Sequence, residues 1–120
     1  MATSLHLEPS CVVVAELAGA RVTKFRPAVV VSSDLYHQQR PDIIVGVLTT
    51  QRPHPKAATD YLLLDWEQAG LRAPSWFRLY LITIEQPLAT LAGRLSARDW
   101  TEVQERLQRG LAVGAVPGSP

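Results

Sequence analysis

The residues best suited to chemistry are Arg26 and a threonine at the end of the next strand, Thr49 or Thr50. In "KFRPAVVVSSD", Lys24 to Asp34, the arginine stands directly before a proline and a run of valines. Proline lacks an N–H and is tolerated at the first residue of a strand. It also holds the residue before it in an extended conformation, so Arg26 is aimed from a fixed point. A guanidinium is a planar, permanently charged fork that matches two phosphate oxygens. A hydroxyl beside it can donate to the same phosphate or orient an attacking oxygen. Donors preorganised in this way stabilise charge developing on a phosphorane. Residue types alone also fit a solvated strand-end arginine near two β-forming threonines, so the strands that carry them must decide.

Four apolar runs rich in Val, Ile and aromatics read as strands: "CVVVAEL" (11–17), "PAVVVSS" (27–33), "DIIVGVLTT" (42–50) and "WFRLYLITIE" (76–85). A fifth, "YLLLDW" (61–66), is weaker because leucine also suits helices. Gly19, the Asp34 to Pro41 stretch and "RPHP" at 52–55 separate them, with no βαβ rhythm, and a compact all-β barrel is expected. If the second and third strands pair antiparallel with Ser33 opposite Ile43, Arg26 falls opposite Thr50 and Pro27 opposite Thr49. Cross-strand side chains on one face lie ~5 Å apart. A slip of one residue puts Thr49 on the Arg26 face instead.

"SARDWTEVQERLQRG" (96–110) predicts a helix. Ser96 is a good N-cap, and Asp99 three residues later completes a capping box with Asp in place of Glu. Trp100, Val103 and Leu107 recur at helical spacing and Gly110 ends the pattern. Glu102, Glu105, Arg106 and Arg109 read as a solvated face. The middle strands are apolar at nearly every position, whereas a strand with one wet face alternates. A closed barrel covers one side, and the helix or a second subunit the other, which suggests a homodimer.

With 120 residues, 47% of them hydrophobic, the chain reads as one domain over 11–111, with flexible ends at 1–10 and 112–120. The net charge of +1 excludes a strongly basic nucleic-acid wrapper but leaves room for a local basic patch. A single cysteine, Cys11, permits no intramolecular disulfide and suits a reducing cytosol; it lies in an apolar run and reads as buried and inert. "CVVVAELAGA" is not a signal peptide, since no positive residue precedes it and Glu8 and Glu16 break the apolar pattern. No run approaches the ~18 apolar residues of a membrane span. A soluble, cytoplasmic protein without membrane contact is expected.

No Cys/His cluster has metal-ligand spacing, so neither metal nor cofactor is expected. Paired histidines can cleave RNA by acid–base catalysis, but nothing in the sequence sets two of His6, His37 and His54 together, and all three read as solvated loop residues. His54 with Arg52 and Lys56 forms a basic loop that could follow RNA phosphates. Trp66 and Trp76 could stack on bases or pack in the core or a dimer.

In order and spacing, "FRPAVVVSSD", "DIIVGVLTTQ", "AGLRAPS", "LITIE" and "AGRLSARDWTEVQERL" resemble the MazF/PemK (Kid) family of toxins from bacterial toxin–antitoxin pairs. The resemblance runs from about Val12 to Leu111. It implies a mainly β fold, a small SH3-like barrel of the CcdB/MazF type with a C-terminal helix, acting as a homodimer. It also implies metal-independent cleavage of single-stranded RNA at short sequences and inhibition by a cognate antitoxin. By motif, the catalytic arginine falls on Arg26 and the threonine on Thr49, followed by Gln51. The implied reaction is attack by the RNA 2′-hydroxyl on the adjacent phosphate. Arg26 would stabilise the phosphorane or protonate the leaving oxygen, and Thr49 would hold the phosphate. Thr50, Gln51, Arg52, His54, Lys56 and Arg78 are the substrate-binding candidates, with loops 18–24 and 51–60 setting the RNA sequence. The chain departs from the family in two places. The first loop is short and lacks a Gly-Asp pair, and "WFRLYLITIE" carries only Arg78 before Glu85. The general base is therefore unassigned, with Glu16 the nearest acid by location. The alternative is a non-catalytic module of the same fold, one that poisons a topoisomerase as CcdB does or binds DNA to repress its own operon.

Overall fold

The computed structural model describes residues 6–18 and 23–114. Its elements in chain order are β1 (Cys11–Ala18), β2 (Thr23–Val30), α1 (Asp34–Gln39), β3 (Asp42–Thr49), β4 (Tyr61–Leu62), β5 (Trp76–Glu85), β6 (Thr90–Arg94) and α2 (Ala97–Gly110). The strands form one antiparallel sheet in the order β4-β5-β3-β2-β1-β6.

Alternation along the strands builds two cores on the two faces of the sheet. Val13, Ala15, Ala28, Val30, Val45 and Val47 are buried together on one face. Val12, Val29, Leu48 and Phe77 are buried on the other, against Val103 of α2 and Leu63 and Ala69 of the segment after β4. Val29 and Val30 are both 0% exposed within the single chain. The unbroken apolar runs are thus covered on both sides without a second subunit, which removes the burial argument for a dimer.

The sheet curls until its β6 edge meets the turn after β4, and two glycines make that approach possible. A Cβ on Gly93 would stand 2.2 Å from the Ala69 carbonyl oxygen, and one on Gly70 would stand 2.3 Å from the Ala92 carbonyl oxygen. Gly70 also has a φ of 84°, which glycine adopts readily.

The β2–β3 register differs by one residue from the sequence expectation: Ala28 pairs with Val47, Val29 with Gly46 and Val30 with Val45. Ser33 is not in a strand. Its side chain caps α1, accepting from the Tyr36 N–H at 3.2 Å, so it cannot face Ile43. The Ile44 N–H is taken instead by the Ser32 hydroxyl at 2.9 Å. "YLLLDW" contributes only a two-residue strand, because the chain beyond it bonds to a side chain rather than to a strand. α1 and β6 are elements that the apolar pattern does not reveal.

That side chain is Asp99. Rather than closing a capping box, it is 0% exposed and accepts from the Tyr61 hydroxyl (2.6 Å), the Leu64 N–H (3.0 Å) and the Asp65 N–H (2.8 Å). Ser96 does cap α2, accepting from the Asp99 N–H at 3.3 Å. Burial first, and then the Asp99 carboxylate, raise the Tyr61 pKa. Asp65 accepts a bidentate pair from Arg98, both at 2.7 Å, and the Ser96 hydroxyl at 2.6 Å. The Arg98 guanidinium and then Ser96 hold its pKa down to about 2. Nor is α2's charged side uniformly solvated: the Arg106 guanidinium lies 4.8 Å from the Tyr61 ring centroid while pairing with Glu102.

Of the N-terminal residues expected to be flexible, 6–10 are described. Leu7 is buried in the first core, the Ser10 N–H donates to the Val30 carbonyl at 2.9 Å, and Glu8 pairs with Arg94 at 2.7 Å. Cys11 is a free, buried thiol. No helix among the described residues is long and apolar enough to cross a membrane.

Candidate active site

Arg26 is the cross-strand partner of Ala15, so its side chain leaves the sheet on the face that carries Ala28 and Val30. The β2–β3 register, continued two residues beyond Ala28↔Val47, sets Arg26 opposite Thr49. Thr49 in turn pairs with Trp76. Continued at this register, Ala15, Arg26, Thr49 and Trp76 fall in one row at one end of the barrel, although the β2–β3 ladder itself ends at Ala28↔Val47. The observed register, one lower than the sequence count, gives Thr49 by continuation where that count gives Thr50.

Lys24 to Pro27 and Leu48 to Gln51 line a cleft of about 300 Å³ at this end. Thr49 Oγ1 accepts the Gln51 N–H at 3.2 Å, which fixes the hydroxyl and leaves its proton free to donate. Among the described arginines, Arg26, Arg52 and Arg72 have no carboxylate within 4.0 Å, and of these three only Arg26 is not exposed. Arg40, Arg78, Arg94, Arg98, Arg106 and Arg109 each lie within 4.0 Å of a carboxylate oxygen. Arg26 is half-buried, has no carboxylate partner among the described residues, and keeps its Nε buried without a hydrogen bond. A buried donor on a charged group is costly to leave unpaired, so this guanidinium suits an anion brought from outside. Lys24 adds a second cation, and among the described residues no carboxylate or imidazole lines the cleft. Its charge and donor set fit a phosphodiester.

The other candidates are dispersed. Thr50 lines this cleft and a second one, of about 410 Å³, on the far side of β2; Gln51 lines the first only. Arg52, His54 and Lys56 are exposed on the chain after β3, outside the lining of both clefts. Arg78 is held by Asp60 at 3.8 Å and lines neither. Glu16 pairs with Phe25, on the sheet face opposite Arg26. Of the loop at 18–24, residues 19–22 lie outside the described ones. Trp66 packs against the second core, and Trp76 is half-buried in the Arg26 row.

The histidines depart from the sequence expectation. His37 is not solvated: its side chain is 5% exposed, with Nδ1 4.0 Å from Asp34 Oδ1 and Nε2 at hydrogen-bonding distance from the Ser32 hydroxyl. His6 stands 3.5 Å from the same Asp34 oxygen, so two histidines do flank one carboxylate. They sit by α1, at the opposite end of β2 from Arg26. Burial lowers the His37 pKa, with Asp34 opposing. Sequence reasoning missed Lys24 and Phe25 as cleft residues. The alternation of Lys24, Phe25 and Arg26 at a strand end, cation–aromatic–cation, was the available signal.

A curled six-stranded antiparallel sheet with a C-terminal helix packed on one face defines a small β-barrel fold. The chain belongs to the family of PemK-like, MazF-like toxins of type II toxin–antitoxin systems, whose profile matches residues 9–111. Among solved structures it is similar to an endoribonuclease in complex with its cognate antitoxin from a mycobacterial species, with a TM-score of 0.73 at 14% identity over 91% of this chain and 98% of that one. The Mycobacterium tuberculosis toxin MazF-mt6 gives 0.70 at 18% identity over 88% and 99%. A MazE–MazF structure from Deinococcus radiodurans gives 0.69 at 14% identity over 89% and 97%. At these identities the likeness establishes the fold. The comparison with curated proteins returned no match.

Proposed function

We propose that the protein is the toxin of a toxin–antitoxin pair and acts as an endoribonuclease on single-stranded RNA, with Arg26 and Thr49 holding the phosphate that is cut. The observation that carries this is the half-buried Arg26, its buried Nε without a hydrogen bond, in a cleft that no carboxylate among the described residues lines. The family and the activity of one structural relative, an endoribonuclease, support the same reading. In the reaction, the RNA 2′-oxygen forms a bond to phosphorus while the bond to the 5′-oxygen of the next nucleotide breaks, leaving a 2′,3′-cyclic phosphate. Arg26 donates to the oxygens on which charge accumulates, and the Thr49 hydroxyl donates to the same phosphate. Among the described residues no carboxylate or imidazole lines the cleft, so in this reading the 2′-hydroxyl proton leaves to solvent and the 5′-oxygen regains one from it. A cognate antitoxin and a second copy of the chain are the protein partners proposed; relatives crystallised with MazE support the first.

The lack of a lining base would equally suit a non-catalytic module that binds nucleic acid, and one experiment separates the two. Purified protein is incubated in a chelator with a long single-stranded RNA and with the same RNA carrying 2′-deoxyribose at each mapped cut. Discrete fragments ending in cyclic phosphate, absent with the deoxy substrate, are expected. Binding without cleavage across several unrelated RNAs would replace the ribonuclease with the binding module.

A further inference from the structure

Phe25 is 73% exposed, more than any other large apolar side chain among the described residues. It stands between Lys24 and Arg26, and alternation turns it to the face opposite Arg26. On that face Val14 and Pro27 pair across β1 and β2. Together with Phe25, Leu71, Arg72 and Ala73 they line the second cleft. Phe25, Pro27 and Thr50 line both clefts, so the two meet over the end of β2; among the described residues neither lining includes a carboxylate, and Glu16, the cross-strand partner of Phe25 on this face, lies outside both. The second cleft is largely apolar, lies directly beside the anion site and has one cation, Arg72, at its wall. An occupant continuous with a phosphate at Arg26 must be flat, with apolar faces and polar edges. An unstacked nucleobase has those properties, and aromatic platforms beside a positively charged groove are how single-stranded nucleic acid is held; Lys24 and Arg26 supply that charge in the adjoining cleft.

We infer that Phe25 is a stacking platform for the nucleobase adjoining the phosphate held at Arg26, and that the second cleft is the pocket for that base. The identity of the phosphate as an RNA phosphodiester rests on the ribonuclease reading; the stacking does not require that it be cut. A base stacked on Phe25 passes over the strand end, its sugar spanning from one face of β2 to the other, so Leu71 to Ala73 limit which base fits.

The test uses the full chain and a pool of 2′-O-methyl oligoribonucleotides, which have no attacking hydroxyl, with 5-bromouridine at randomised positions. Irradiation is expected to attach the pool to Phe25 or to the Leu71–Ala73 wall. Phe25→Ala is expected to weaken pool binding ~5- to 150-fold, the span of one base–aromatic stack, while Phe25→Trp retains it. With cleavable RNA, Phe25→Ala raises KM and alters the base preference at one position beside the cut, leaving kcat within about threefold. Because Phe25 is exposed, its removal should move the melting temperature by no more than about 2 °C. Cross-links confined to other surfaces, or wild-type pool binding by Phe25→Ala, overturn the inference even if RNA is cleaved. Cross-linking at Phe25 without cleavage overturns the ribonuclease reading and upholds the base pocket. If Phe25→Ala loses self-association or antitoxin binding with its RNA binding intact, Phe25 serves a protein contact and the inference fails.

Discussion

Replacing Asp99 with alanine tests whether one buried carboxylate ties α2 to the segment that runs from β4 toward the second cleft. The carboxylate accepts three hydrogen bonds, at 2.6, 3.0 and 2.8 Å, from Tyr61, Leu64 and Asp65. Asp99→Ala strands the Tyr61 hydroxyl, whose residue is 9% exposed, at a cost of ~1–3 kcal/mol. The two backbone N–H groups are nearer to water and add about 1 kcal/mol each. The expected loss is ~3–5 kcal/mol, equivalent to a fall in melting temperature of roughly 12–20 °C for a domain of this size. Tyr61→Phe alone removes a donor along with its bond and should cost only ~1–2 kcal/mol. In the Asp99→Ala background the same change should cost almost nothing, since the hydroxyl is already without a partner. Urea unfolding of the four proteins, followed by tryptophan fluorescence, gives the cycle. A loss under ~1 kcal/mol for Asp99→Ala, or strict additivity of the two changes, would refute the reasoning.

Gly93→Ala should destabilise by ~2–3 kcal/mol, because its Cβ meets the Ala69 carbonyl oxygen at 2.2 Å and backbone must move. Gly114→Ala, with nothing within 4 Å, should be neutral in the same urea titration. The fold should also weaken as pH falls below about 6.5. Burial lowers the His37 pKa, so the unfolded chain binds the proton more readily than the folded one, and stability is full above that pH and lost below it. His37→Gln should flatten the dependence between pH 7 and pH 5; an unchanged slope would place its origin elsewhere.

Much of this architecture is written in β-branched runs. The first, third and longest strands fall close to where valine and isoleucine cluster, and α2 begins at the serine that its capping chemistry selects. Arg26 was legible because Pro27 fixes the backbone beside it. Its partner was not legible from the strands alone, because the register depends on where β2 leaves the ladder. A six-residue helix with no buried residue decides that point, and such a helix leaves no apolar period. β6 is mostly exposed and so lacks alternation. The partners of Asp99 lie 34 to 38 residues away, so local capping rules see only the serine. Family motifs point to Thr49 where register counting from the sequence gives Thr50, since a motif carries the tertiary pairing that a count must assume, and both threonines line the cleft.

The most direct test of the central claim is the single-turnover cleavage rate of one mapped RNA site by wild type, Arg26→Ala, Thr49→Ala and Thr50→Ala. Losing the preorganised guanidinium should slow cleavage by about 10²–10³-fold. Thr49→Ala should cost at least ~10-fold and Thr50→Ala less than about threefold, because Thr49 shares the Arg26 row. An Arg26→Ala protein that cuts at the wild-type rate, or a larger loss at Thr50 than at Thr49, would contradict the account.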